Sequence, residues 1–228
     1  MTRSRPAKRR ARRSARPRRS NAERSATTRA TIIDAAIELL YSRGHAATTT
    51  IAVAARARVS RGAMLHHFPT RVALLIATAE YVVTSQREQR RAKTREIEPG
   101  LKRYYAGADI NWEVQQQPST IALLEIMMAS RSDLALRKAF APFIAQMSDM
   151  RRHAAAKVAA DLGVTDEKTV ANILYLHQAT LRGLAIQLMC TQDLQAVEAA
   201  RRLFTHYSHS FAESLIERQK DKVRTERR

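Results

Sequence analysis

After residue 22 the hydrophobic positions recur at three- and four-residue intervals, and the strict alternation that marks a strand is nearly absent. From residue 27 or 28 to residue 43, Ile32, Ile33, Ala36, Ile37, Leu39 and Leu40 predict a helix, and Gly44 sits where a C-terminal cap belongs. Two short helical patterns follow. Ile51, Val53, Ala54 and Ala57 lie behind Thr48, Thr49 and Thr50, whose hydroxyls suit an N-cap, and Arg58-Val59-Ser60 breaks the pattern. Ser60 then caps a helix of Arg61, Gly62, Ala63, Met64, Leu65, His66, His67 and Phe68, which Pro69 closes. Met64 and Phe68, joined by His66, fall on its inner face.

Thr70 can cap a long helix reaching about residue 97, buried along Val72, Leu74, Leu75, Ala79, Val82 and Val83. The second half of that helix, QREQRRAKTRE, is polar almost all round and is expected to face solvent. Pro99-Gly100 marks a boundary. Beyond it the pattern predicts a helix over 101–114 and another opened by Pro118. A long one over 134–162 should kink at Pro142, and two more close the chain over 166–189 and 194–217, before a charged, frayed tail. The fold class is all-α, with an N-terminal three-helix domain and a C-terminal helical domain. The expected division is 1–22, 23–70, 71–220 and 221–228.

Charge changes the picture most at the start of the chain. Residues 1–22 hold ten Lys or Arg and no acid, too polar to bury a core, and are expected to form a disordered basic arm. The whole chain carries a formal +19, which calls for a polyanionic partner, either nucleic acid or an anionic membrane surface. The arm's Arg- and Ser-rich composition also fits an organelle transit peptide. The single cysteine, Cys190, excludes a disulfide framework and a Cys-based zinc cluster. No apolar run approaches the ~20 residues that cross a bilayer, and a cytoplasmic, nucleoid-associated protein is expected.

The two short helices follow the helix-turn-helix plan, whose second helix reads base edges in the major groove. The runs GHAATT (44–49), VAAxAxVS (53–60) and RGxxxxHFPxR (61–71) resemble the TetR family of transcriptional repressors over residues 31–80. Two positions depart from that pattern, which usually has glycine where Arg58 stands and tyrosine where Leu65 stands. The resemblance implies DNA contacts from Thr49, Thr50, Ser60, Arg61, Gly62, Ala63, Leu65, His67 and Arg71, with Thr49, His67 and Arg71 on phosphates. Arg61 suits either a guanine or a phosphate, Gly62 and Ala63 let the backbone approach the groove floor, and Leu65 suits a thymine methyl. Thr49 has a competing role as a helix cap.

The resemblance further implies a small-molecule pocket in the second domain and a homodimer through the last two helices. Candidate pocket residues, apolar or polar-tipped on presumed inner faces, are Tyr104, Tyr105, Trp112, Met127, Met128, Phe143, Met147, His177 and Gln178. His177 and Arg182 are polar among apolar neighbours and suit an anionic ligand or a pair across the dimer. For the dimer bundle, Val170, Ile173, Leu174, His177, Leu181, Leu184 and Leu188 on one helix and Ala200, Leu203, Phe204, Tyr207, Phe211 and Leu215 on the other supply apolar faces, one of which must pack within the subunit.

No Gly-rich phosphate loop, His-Glu-x-x-His helix or nucleophile elbow is present, so neither an enzyme nor a cofactor is expected. His66 and His67 point about 100° apart on a helix and cannot share a metal ion. The leading expectation is a ligand-responsive repressor that binds an inverted-repeat operator as a dimer. The alternative is an architectural protein whose basic arm coats DNA without reading it.

Overall fold

The computed structural model describes residues 20–228, so the arm over residues 1–19 lies outside the described residues. The Ser20 hydroxyl accepts from the Glu23 amide at 3.1 Å while the Glu23 carboxylate accepts from the Ser20 amide at 2.8 Å. This capping box starts α1 (Asn21–Ala47) well before the expected residue 27 and takes residues 21 and 22 out of the expected arm. The regular part of α1 stops at Gly44, whose φ of 73° suits a residue without a Cβ.

The chain continues as α2 (Thr50–Ala57), α3 (Arg61–His67), α4 (Arg71–Thr94), α5 (Leu101–Gln115), α6 (Pro118–Ala129), α7 (Leu134–Leu162), α8 (Glu167–Thr191) and α9 (Leu194–Glu226). Every described element is helical. Thr49, Ser60, Thr70 and Asp133 each cap the helix that follows by accepting a hydrogen bond from an amide in its first turn. Pro142 lies inside α7 without ending it, because Leu136, Phe140 and Phe143 on either side are held in the core. The tail expected to fray after Arg218 is the last part of α9, a stretch without glycine or proline to stop the helix.

Two cores determine where the functional surfaces lie. The first joins Ile32, Ile33, Ala36 and Leu39 of α1 to Val53 and Ala57 of α2, Met64 of α3, and Phe68. Leu74 and Ala77 of α4 complete it, so the expected boundary at residue 70 runs through one continuous packing unit. In the second core, Leu40, Leu75, Ala79 and Val82 meet Leu123, Ile126, Leu136, Phe140 and Phe143. Helix α4 therefore belongs to both. Its polar half is not all solvated as expected: Gln86 is buried and donates from Nε2 to the Thr120 hydroxyl at 2.7 Å.

Candidate nucleic-acid interface and an interior cavity

Helix α3 is short, and its orientation is fixed from both sides. Met64 is 1% exposed and Phe68 is 2% exposed, which seats the inner face on the first core. The Ser60 hydroxyl accepts from the Ala63 amide at 3.1 Å, and α2 ends against the α3 start through a tight turn. Arg58 occupies that turn with φ 55° and ψ 40°. A side-chain-bearing residue thus holds the left-handed conformation that glycine adopts without strain. The surface left outward consists of Arg61, Gly62, Leu65 and His66, with Ala63 and His67 at its edges. His66 was expected inside with Met64 and Phe68, but it is exposed, because Met64 and Phe68 already fill the inner face.

The remaining expected contacts sit around this surface in different states. Thr49 is exposed and caps α2, accepting from the Ala52 amide at 3.1 Å; Thr50 is half-buried behind it. Arg71 is half-buried, and its guanidinium donates through Nε to the Thr48 carbonyl at 2.8 Å and through Nη2 to the His45 carbonyl. It thereby ties the start of α4 to the loop before α2. His67 is held below the ordinary histidine value by burial, then by His66 and by Arg29. Arg29 also stacks over the Phe68 ring at 5.2 Å, so α1 braces the exit of α3. The loop is tied once more, from α6: Glu125 Oε2 accepts from the His45 amide at 2.8 Å.

Between α4, α5, α7 and α8 lies a cavity of about 400 Å³, the size of a small-molecule site. Of the expected pocket residues, Tyr104, Met147, His177 and Gln178 line it. Five do not. Tyr105 stacks on His209 at 3.6 Å and donates to Glu213 at 2.8 Å. Trp112 packs with Leu181, Ala185 and Val197, and Phe143 packs on Phe140. Met127 flanks the second core, and Met128 is exposed. In each case the face presumed to point at a ligand points at a neighbouring helix or at solvent.

At the buried end, Tyr104 Oη lies 3.3 Å from His177 Nε2 and 3.2 Å from Ser208 Oγ, which is 2.8 Å from the same histidine nitrogen. Burial pulls His177 down to about 4, so this cluster is neutral near pH 7. Sequence reasoning missed most of the remaining wall. From α4 come Arg87, Arg90, Arg91 and Thr94; from α5, Arg103 and Gly107; from α7, Arg151, Lys157 and Asp161. The signal was present in the i, i+3, i+4 spacing of Arg87, Arg90 and Arg91, which puts three cations on one side of α4. Arg182, singled out in the sequence, donates to Gln115 Oε1 at 3.5 Å outside this wall.

Residues 32–78 match the family described as bacterial regulatory proteins, tetR family. The HTH-type transcriptional regulator CymR of Pseudomonas putida is 29% identical over 184 residues, which cover 81% of this chain and 90% of CymR. An uncharacterised HTH-type transcriptional regulator of Mycobacterium tuberculosis is 27% identical over 168 residues, 74% of this chain and 86% of its own length. Among solved structures, the multidrug binding protein EbrR in complex with imidazole is 25% identical, with a TM-score of 0.54 over 78% of this chain and 93% of its own. A putative transcriptional regulator from Pseudomonas aeruginosa PAO1 shares the fold, with a TM-score of 0.63 over 85% of this chain and 94% of its own at 17% identity.

Proposed function

We infer that the chain is a helix-turn-helix transcriptional regulator of the TetR family, which its match to that family's model over residues 32–78 and its similarity to CymR support, and that it represses transcription as a homodimer on an inverted-repeat operator and releases it when a small molecule enters the cavity. The observation that carries this reading is α4. Its first residue, Arg71, holds the loop before the helix-turn-helix, and Arg87, Arg90 and Arg91 further along the same helix line the cavity. A ligand that favours one α4 position over another shifts the population of DNA-competent heads by its differential affinity. EbrR, with imidazole or ethidium bound, supports a small-molecule effector for this fold.

In this reading Arg61 and Leu65 contact bases, Gly62 and Ala63 permit the close approach, and His66 adds a contact beside them. Thr49, Thr50, Ser60, His67 and Arg71 serve the flanking phosphates, the last through whatever its two carbonyl bonds leave free. The dimer forms through exposed apolar positions, Leu176, Ala179 and Gly183 on α8 and Leu203 and Tyr207 on α9. Val170, His177 and Leu181 are buried within the subunit and supply the other face. Dimerisation doubles the base contacts, which a helix as short as α3 requires for a specific site.

Selection of bound sequences from a random DNA pool at physiological salt, followed by footprinting, tests the reading. A palindromic consensus protected as two half-sites is expected. Even protection without a consensus would instead support the DNA-coating alternative, which the similarity to transcriptional regulators does not favour.

A further inference from the structure

The cavity wall is far more cationic than the body of the protein. With the ten of the arm set aside, 30 of the 40 Lys and Arg remain against 21 acids. The cavity is lined by six cations, Arg87, Arg90, Arg91, Arg103, Arg151 and Lys157, and by one acid, Asp161. Arg103 and Asp161 cancel each other: Nη1 donates to Oδ2 at 3.1 Å, and Nε of the same guanidinium donates to the Ile97 carbonyl at 2.8 Å. None of the other five forms an ion pair among the described residues.

A basic surface alone would leave such groups fully in water. Arg87, Arg91, Arg151 and Lys157 are indeed exposed and mark the mouth of the cavity, but Arg90 is half-buried behind them. Burial works against its charge, and among the described residues no carboxylate pairs with it to offset that cost. Further in, the wall turns apolar at Met147, Val158, Leu162 and Leu174 and ends in the neutral Tyr104-His177-Ser208 cluster. Gly107 faces open space: apart from its own stretch of helix, nothing among the described residues lies within 4 Å of where a Cβ would stand. The site is therefore a cationic mouth over an apolar chamber, with one guanidinium held inside without a counterion.

We propose that the cavity takes an amphipathic organic anion, its carboxylate or phosphate head paired with Arg90 and steered by the arginines of the mouth, its apolar body against Met147, Val158 and Leu174. The proposal rests on the effector reading above and supplies the chemical class. A guanidinium fork matches either head, and a desolvated pair of this kind is stronger than one in water. A cationic ligand would meet five uncompensated positive charges, and a neutral one would leave Arg90 unpaired.

The test is calorimetric titration of the full-length protein with four molecules that share one body: 2-naphthoate, 2-naphthyl phosphate, 2-naphthamide and 2-naphthylmethylammonium. One of the two anions should bind at least roughly tenfold more tightly than the amide, with the ammonium weakest, as expected for a charge-assisted pair. Whichever anion is tighter identifies the head. Arg90→Met, which keeps the side-chain volume, should bring the anions to the level of the amide while leaving the amide within about twofold. Gly107→Leu, which fills the chamber, should lose all four. The proposal is overturned if the amide or the ammonium equals the anions, if neither anion binds, if Arg90→Met keeps the preference, or if Gly107→Leu binds as the unmodified protein does. The same samples are assayed on DNA selected from the random pool. Absence of any preferred sequence there overturns the regulator reading, while the calorimetry still decides the chemistry of the cavity.

Discussion

The outward face of α3 and the cavity between α4, α5, α7 and α8 are built on opposite principles. The α3 face is a thin surface on a filled core, with Met64 and Phe68 almost fully enclosed beneath it. The cavity is space that four helices leave unfilled, rimmed by exposed cations and holding one, Arg90, that would be better solvated elsewhere. A surface that reads a rigid partner gains from being rigid itself, since little conformational freedom is lost on binding. A site that must respond to its ligand needs walls whose arrangement the ligand can change. The two kinds of site accordingly use backbone conformation in opposite ways. Arg58 holds a positive φ where glycine would be unstrained, whereas Gly107 sits inside a helix where alanine would be preferred.

This contrast can be broken at several strengths. The largest effect should come from Phe68→Ala, which removes a buried ring beneath α3 and should cost roughly 3–5 kcal/mol in denaturant unfolding, with loss of DNA binding. A cost below about 1 kcal/mol would mean that the α3 face is not supported by a packed core. Next comes the cavity wall under acid. His177 has a folded value near 4, below the ordinary 6.5, so the unfolded chain takes up the proton first and stability is lost as pH falls through that window. The loss should approach roughly 3 kcal/mol between pH 6.5 and 4 and should shrink in His177→Gln, as read by unfolding at each pH. An unchanged pH profile in the variant would remove His177 from the account.

Arg61→Ala should relax the preference at one base pair in each half-site by about 1–3 kcal/mol. Equal weakening on every sequence would show that Arg61 touches phosphate alone. Smaller still, Arg58→Gly and Gly107→Ala should each raise stability by about 1 kcal/mol, the first by relieving the turn and the second by improving the α5 helix. If Arg58→Gly lowers stability, the arginine side chain has a supporting contact. The smallest effect concerns His67, which a neighbouring phosphate should raise from its lowered free value. Operator affinity should therefore tighten as pH falls from the bound histidine's raised value toward the free protein's lowered one, by less than about tenfold per protomer, and His67→Gln should flatten that slope.

Much of the DNA-reading half was legible in the sequence because its information is contiguous. Caps at Thr49, Ser60 and Thr70, the buried pair Met64 and Phe68, and the outward Arg61 and Leu65 all follow from spacing within one or two turns. His66 was misplaced because a short helix has a narrow inner face, and periodicity over seven residues does not define its edge. The cavity was poorly legible for the opposite reason. Its wall comes from four helices far apart in sequence, so nothing local separates Tyr104, which lines it, from Tyr105, which stacks on His209. The bias toward aromatic and thioether side chains also passed over the arginines of α4, whose charge read as solvation. Helix boundaries erred mainly at the ends of the chain, where a capping box at Ser20 and the good helix formers after Arg218 extend what hydrophobic spacing alone would stop.

Because Arg71 and Arg90 sit on one uninterrupted helix, they are separated by about 28 Å of rigid rod at 1.5 Å per residue. A tilt of about 5° around the cavity end would then carry the other end roughly 2.5 Å sideways, enough to take a fitted side chain out of hydrogen-bond reach. Small angular adjustments around a ligand would thus be magnified by length alone before they reach the DNA.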